Sequence, residues 1–258
     1  MATALITGGT SGIGAAFARA LAMRGNDLVL VARSVDRLEE AAAELRRSGV
    51  QVETISADLS DRSDVLRVAE RLEDAARPVE LLINNAGFGV HTPLTSTDLE
   101  AHDRALDVMC RAVLILSGAA ARSMRARGSG TILNVSSTAG FITLGAYSAI
   151  KAWVTTFTES LSVELRGSGI QVTALCPGWV RTEFHDRAGI DASGIPGFMW
   201  LDADELVAAC LRDVDRGRVL SIPTARYRSV IWMLRHVPRG VVRSVSAKIS
   251  SARDTVKA

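Results

Sequence analysis

Thr7-Gly8-Gly9-Thr10-Ser11-Gly12-Ile13-Gly14 is the stretch on which the reading of this sequence turns. It follows a short apolar run, Ala4–Thr7, and leads directly into Ile13–Arg24, where apolar residues recur at helical spacing. Glycines at such a junction let the backbone turn tightly and approach a pyrophosphate, whose charge faces the helix N-terminus. A glycine-rich turn can also serve packing alone. Its place at the first strand-to-helix junction points to a nucleotide, with Gly8, Thr10, Ser11, Gly12, Ile13 and Gly14 around the phosphates.

Outward from that turn, short β-type runs recur at Leu28–Ala32, Gln51–Ser56, Leu81–Asn84, Thr131–Val135, Gln171–Cys176 and Val219–Ile222. Helical patterns separate them at Val35–Arg47, Asp64–Ala75, Asp98–Arg127, Tyr147–Arg166 and Asp204–Asp213. Strand then helix, with no hairpin signal, predicts parallel strands joined by right-handed crossovers. The strands are continuous apolar runs, so both sheet faces should be covered by helices. The expected fold is α/β, a doubly wound parallel sheet.

Composition agrees. Of 258 residues, 48% are hydrophobic and 22% charged, which supports a sizeable core and argues against disorder. Only 5% are aromatic and 6 are proline, which disfavours a strand-dense sandwich or a proline-rich binder. No apolar run reaches the ~18 residues needed to span a bilayer. The start, MATALITGG, has neither a basic n-region nor a long apolar h-region, so no signal peptide is expected. Three cysteines without CxxC spacing suggest reduced thiols, a cytoplasmic location and no zinc. None of the four histidines has triad-like or metal-like spacing, and Cys176, ending an apolar strand, is expected in the core.

The net charge of +2 divides unevenly: residues 216–258 carry +9 and the remainder −7. A balanced body with a basic tail is not a uniformly basic nucleic-acid binder. We expect a body over residues 1–225 and a basic amphipathic extension over 226–258. In the extension Val230, Leu234, Val237, Val241, Val245 and Ile249 form a helical stripe, broken once by Pro238. Arg228, Arg235, Arg239, Arg243 and Lys248 surround it. Two roles are open for it: lying on an anionic membrane surface, or packing as an arm against a partner subunit.

In doubly wound sheets ligands bind outside the carboxyl ends of the strands. The second strand ends at Arg33, nineteen residues past Gly14, with Arg37 one helical turn later and no acid at the strand end; the nearest, Asp36, reads as a helix cap. An acid there would bond a ribose 2′-hydroxyl, whereas two guanidiniums suit a 2′-phosphate, which selects NADP(H) over NAD(H). Further on stands Tyr147-Ser148-Ala149-Ile150-Lys151, a YxxxK in a chain with 2 tyrosines and three lysines. Chance would produce that pairing about 2% of the time. At i and i+4 the side chains share a helix face, and an ammonium beside a phenol should draw its pKa down from about 10. Tyr147 then becomes a proton donor or acceptor for a carbonyl/alcohol pair.

Together these motifs resemble the short-chain dehydrogenase/reductase family in its single-domain form. Thr7–Gly14 is similar to its TGxxxGIG, and Asn84-Asn85-Ala86-Gly87 to its NNAG. Ser136-Ser137, the YxxxK, and Pro177-Gly178-Trp179-Val180-Arg181-Thr182 (PGxxxT) follow in the family's order. The resemblance runs from about Thr3 to Ile222. It implies a seven-stranded parallel sheet, nicotinamide hydride transfer, and a homodimer or homotetramer. It implies that Tyr147 is the general acid/base, Lys151 its partner and a contact of the nicotinamide ribose, and Ser137 the group polarising the carbonyl. It also implies that Asp58, beside Leu59, meets the adenine, that Asn84, Ala86 and Gly87 line the adenosine and ribose region, and that Pro177, Val180 and Thr182 meet the carboxamide and pyrophosphate.

Two departures stand out. Met109 occupies the position where the family usually carries an asparagine that orders a relay water, and a thioether donates nothing. That keeps open a second reading, a non-catalytic NADPH-binding or interaction protein of the same fold. Ser137 and Tyr147 are also only ten positions apart, fewer than is usual in the family, so the loop Gly140–Gly145 is short. The family's mobile substrate lid would fall at about 183–203, where Phe184, Ile195, Phe198, Met199 and Trp200 occur. With Phe88, Phe141, Leu144 and Trp179 they predict an apolar pocket for a bulky, lipid-like or steroid-like carbonyl or alcohol.

Overall fold

The computed structural model describes residues 2–183 and 196–254. Phe184 and Ile195 of the expected pocket, and the side chains of Val245, Lys248 and Ile249 of the expected tail pattern, lie outside the described residues.

The main sheet contains β1 (Thr3–Thr7), β2 (Asp27–Ala32), β3 (Val52–Ser56), β4 (Leu81–Asn84), β5 (Gly130–Val135), β6 (Ile170–Leu175) and β9 (Leu220–Ser221). Their order is β3-β2-β1-β4-β5-β6-β9, and every neighbouring pair is parallel. The doubly wound sheet is therefore as expected. Alternation along each strand sends side chains to opposite faces. Ala4 and Ile6 join one core with Leu28 and Leu30, while Leu5 joins the other with Val29 and Val31. Helices α1 (Gly12–Met23), α2 (Val35–Arg46) and α7 (Ala203–Asp215) cover the first face, through Phe17, Leu38 and Leu211 among others. Helices α3 (Arg62–Glu73), α5 (Ala112–Arg127) and α6 (Gly145–Glu164) cover the second, through Val68, Leu116 and Ile150. Each fully buried side chain of this size contributes about 1.5–3 kcal/mol, so sheet and helices hold one another in place. The strand order reverses between β1 and β4, and their carboxyl ends form the crevice that matters here.

Three local features differ from the sequence reading. The single helix expected over Asp98–Arg127 is divided: α4 (Glu100–Leu106) and α5 are joined by a wide π turn, Asp107–Arg111, which contains Met109. Such turns concentrate at functional sites because the extra residue re-aims side chains. A second, two-stranded parallel sheet pairs β7 (Trp179–Val180) with β8 (Trp200–Leu201). At the start of α2 the cap is Ser34, whose hydroxyl accepts from Arg37 N, and Asp36 lies in the first turn, where a carboxylate favours the helix dipole.

The tail forms α8 (Ala225–His236) and α9 (Arg239–Asp254), parted at Pro238 as expected. Its inward residues only partly match the expected stripe: Leu234 packs on the core and Val237 is half-buried. Tyr227, Ile231, Val242 and Ser246 are buried, whereas Val230 and Val241 are exposed beside Trp232 and Met233. Tyr227 and Ile231 belong to the same core as β1 and α1. Among the described residues no helix is long and apolar enough to cross a membrane.

Candidate active site

The ends of β1 and β4 are stitched together at the crevice. Thr7 Oγ1 accepts from Asn85 N (3.0 Å) and Ala86 N (3.1 Å), and Asn85 Nδ2 donates to Thr7 O (2.9 Å) and Gly8 O (3.2 Å). Gly8 turns with φ +66°, a left-handed conformation that favours glycine, and a Cβ on Gly14 would overlap Gly8 O. Thr10, Ser11, Gly12 and Ile13 are partly exposed around the start of α1. Sequence reasoning singled out Asn84 and passed over Asn85. Asn84 faces inward, its Nδ2 donating to Ser117 Oγ (3.0 Å) and Asn134 Oδ1 (2.8 Å). Asn85 is the residue that braces the glycine turn, and only the closeness of the two strand ends reveals it.

At the end of β2, Arg33 and Arg37 are exposed and form no ion pair among the described residues. Asp58 stands nearby in the turn after β3, with Leu59 buried behind it. Burial alone would raise the Asp58 pKa, but the Ser60 N–H and hydroxyl, together with Arg104 and Arg33, hold it below the ordinary carboxylate value. Arg104, from α4, is 3.2 Å from Asp58 Oδ2 and went unnoticed in the sequence.

The two adjacent serines after β5 point to different places. Ser136 Oγ is buried and donates to Lys151 O (2.7 Å), with Thr155 Oγ1 also at 2.7 Å. Ser137 Oγ accepts from Ala139 N (3.1 Å), opening a short 3-10 turn over Thr138–Phe141, and its hydroxyl lies near enough to Tyr147 to favour the ionised phenol. Lys151 Nζ lies over the Tyr147 ring, 5.6 Å from its centroid, and donates to Val135 O (2.9 Å). Ser137, Tyr147 and Lys151 therefore meet at one point beyond the carboxyl end of β5.

The electrostatics differ from the expectation. Burial pushes the Tyr147 phenol up to about 12, opposed only by Ser137. Burial lowers Lys151 to about 8, against the pull of Cys110 and Cys176. Met109 closes the far side: a Cβ on Gly87 would stand 3.1 Å from Met109 Sδ and 3.6 Å from Lys151 Nζ. Met109 thus presents a buried thioether at this position.

The remaining residues of the expected pocket and cofactor surface lie as follows. Phe88 and Ala86 pack on the second core, and Phe141 and Trp179 on the first, with Leu144 partly buried at the start of α6. Trp179 lies 5.8 Å from Trp200 across the small sheet. Buried Pro177 accepts from Thr138 N through its carbonyl (2.9 Å), Val180 is buried in β7, and Thr182 lies against Gly12, 3.4 Å from where its Cβ would be. A cavity of about 300 Å³ opens at the opposite, amino-terminal edge of the sheet, lined by Asp27, Glu53, Arg71 and Glu80. There Arg71 Nε already grips both Glu53 oxygens (3.1 and 2.9 Å), so it offers no converging reactive group. Among the described residues no cluster of three metal-ligating side chains occurs.

Comparison with known proteins follows the same geometry. A short chain dehydrogenase family profile matches residues 2–192. Over 211 residues the chain is 38% identical to glycine betaine reductase ATRR of Emericella nidulans, a match covering 79% of this chain but 17% of that longer protein. The solved short-chain dehydrogenase from Sphingobium yanoikuyae in complex with NADPH is 37% identical, with a TM-score of 0.83 over 93% of this chain and 97% of the other. The bulky-bulky ketone specific alcohol dehydrogenase from Comamonas testosteroni is 32% identical, with a TM-score of 0.78 over 100% of this chain and 94% of the other. This chain belongs to the short chain dehydrogenase family.

Proposed function

We propose that the protein is an NADP(H)-dependent oxidoreductase that interconverts a carbonyl and a secondary alcohol on a bulky hydrophobic substrate. The observation that carries this reading is the meeting of Ser137, Tyr147 and Lys151 beside the glycine-turn crevice. The chain fits the cofactor: Gly8 and Gly14 keep the turn free of side chains, α1 begins at its end, and two exposed arginines at the end of β2 are available to a 2′-phosphate. Gly8–Gly14, Asp58, Leu59, Ala86, Gly87, Pro177, Val180 and Thr182 complete the proposed binding surface, with Asn84 buried behind it. When bound, the nicotinamide supplies or accepts the hydride. The chain's own part is to hold and protonate the oxygen. Ser137 donates to the carbonyl oxygen, Tyr147 protonates it as charge develops, and Lys151 stabilises and then re-protonates the phenolate.

The bulky substrate is supported by the apolar walls and by likeness to an enzyme described as bulky-bulky ketone specific. An exposed apolar side of α6, where Trp153 and Phe157 stack at 4.9 Å, supports a homo-oligomer. A membrane contact or subunit arm formed by the tail would use its outward residues Val230, Trp232, Met233 and Val241, since the inward ones already pack on the body. The experiment that tests the function is NADPH oxidation against a panel of hydrophobic ketones and aldehydes. Tight NADPH binding with no turnover on any of them would favour the non-catalytic reading that Met109 motivates.

Two further outcomes are expected. Met109→Asn restores an amide beside Lys151 and should raise single-turnover reduction severalfold, if proton supply limits the rate. An unchanged or lower rate would mean that protons reach Lys151 by another path. For pH dependence, Lys151 at about 8 is the group that titrates first, while Tyr147 near about 12 stays protonated. Only the ammonium can stabilise and recharge the phenolate, so reduction should be flat at low pH and fall above about pH 8, approaching about tenfold per unit. Lys151→Arg keeps its charge and should remove the descent at the cost of rate. A parent profile flat through that range would reject this assignment.

A further inference from the structure

We propose that the C-terminal helices brace two segments beside the active site from outside it, with Tyr227 as a positioning residue for the Pro177–Thr182 segment and Ser246 as its counterpart on the Gly140–Gly145 loop. The proposal deepens the NADP(H) reading and rests on it. Neither residue lies within the stretch that the family profile matches, residues 2–192.

Tyr227 is almost fully buried although it opens a helix rich in arginine. Its ring lies where a side chain on residue 178 would be: a Cβ on Gly178 would overlap it, so this glycine is required by the tyrosine above it. Its hydroxyl accepts from Trp179 N (3.0 Å) and donates to Met199 O (2.8 Å). These two backbone groups lie at the matching ends of the small sheet, where Trp179 pairs with Trp200. A two-residue strand pair is too short to hold itself in water. Arg181 N donating to Leu201 O (2.9 Å) and the Tyr227 bridge both brace it.

That segment touches both halves of the proposed chemistry. Pro177 O accepts from Thr138 N, inside the turn that Ser137 opens, and Thr182 lies against Gly12 at the start of α1. A shift at Trp179 would therefore move the cofactor side and the serine turn together. The same tail grips the loop between Ser137 and Tyr147. Arg235 lies over Phe141, 5.1 Å from the ring centroid, and 3.7 Å from Glu159 of α6. Ser246 Oγ, on a residue only 3% exposed, accepts from Thr143 N at 3.2 Å. A loop with only ten positions from Ser137 to Tyr147 is thereby held from outside by the tail.

The test uses the full-length protein. Tyr227→Phe keeps the ring over Gly178 and removes both hydrogen bonds. NADPH affinity, read by fluorescence titration, should fall about five- to tenfold, because binding must now order the segment, while kcat changes less than about twofold. Hydrogen exchange at the Trp179 and Arg181 amides should quicken without a matching loss of melting temperature. Ser246→Ala should instead raise the ketone KM, quicken exchange at the Thr143 amide and leave NADPH affinity unchanged, with Ser246→Thr restoring both. A Tyr227→Phe protein with parental NADPH affinity and parental exchange at Trp179, or one that merely melts lower, overturns the proposal. If the parent does not bind NADPH at all, the cofactor reading fails, and exchange at Trp179 and Thr143 still decides whether the tail anchors these segments.

Discussion

Tyr147→Phe is expected to lower carbonyl reduction by about a thousandfold while leaving NADPH affinity within about twofold. The substitution removes one oxygen and keeps the ring. The ring is what Lys151 Nζ rests over at 5.6 Å, so the lysine keeps its place and its bond to Val135 O. What disappears is the hydroxyl that faces Ser137, the only phenol among the described residues that converge there. General acid catalysis by a positioned group is worth about 10²–10⁴-fold, and no other donor in the site combines reach with a proton to give. Ser137 can still polarise a carbonyl, but a serine does not donate its proton at neutral pH. The pair of measurements is single-turnover reduction and NADPH titration on the same preparation. A loss smaller than about tenfold would mean that another group protonates the oxygen, and a parallel loss of NADPH affinity would mean that Tyr147 serves binding.

The parts of this site legible in the sequence are those carried by local patterns. Strand β1 differs from its expected span by one residue, and β4 coincides with it, because apolar runs and glycine junctions are short-range signals. The YxxxK spacing places Tyr147 and Lys151 on one helix face whatever packs around them. What escaped depends on contacts between distant residues. Asn85 and Asn84 are indistinguishable in the string, and only the approach of β4 to Thr7 decides which one braces the glycine turn. Met109 was noticed as a substitution, but the π turn that carries it has no sequence signature, since the divided helix keeps an unbroken apolar pattern. Tyr227 fell in a segment judged by its charge. Its role follows from a glycine 49 positions earlier, which is a tertiary fact. The downward shift expected for Tyr147 failed for a related reason: spacing places an ammonium near a phenol, but only packing shows how much water both have lost.

Arg33→Asp is expected to weaken NADPH binding by about ten- to a hundredfold and to change NADH binding little. In the parent, Arg33 and Arg37 stand exposed at the end of β2 with no ion pair among the described residues to satisfy them. A 2′-phosphate placed there would accept charge-assisted hydrogen bonds from guanidiniums that give up no existing partner to make them. The site is open to solvent, so each interaction is worth less than a buried one and should weaken as salt rises. NADH lacks the phosphate and so has little to lose. An aspartate at this position can even accept from its ribose 2′-hydroxyl. Arg33 also acts on Asp58, whose carboxylate it helps to keep ionised. Replacing it with a second acid sets two like charges near each other and should raise the Asp58 pKa, an effect that Arg33→Ala would show only in part. Titrations of both cofactors against parent, Arg33→Ala and Arg33→Asp at two salt concentrations separate these contributions. Equal affinity of the parent for NADPH and NADH would end the assignment of the two arginines to the 2′-phosphate. A loss that is the same for both cofactors would place Arg33 at a group they share, such as the pyrophosphate or the adenine.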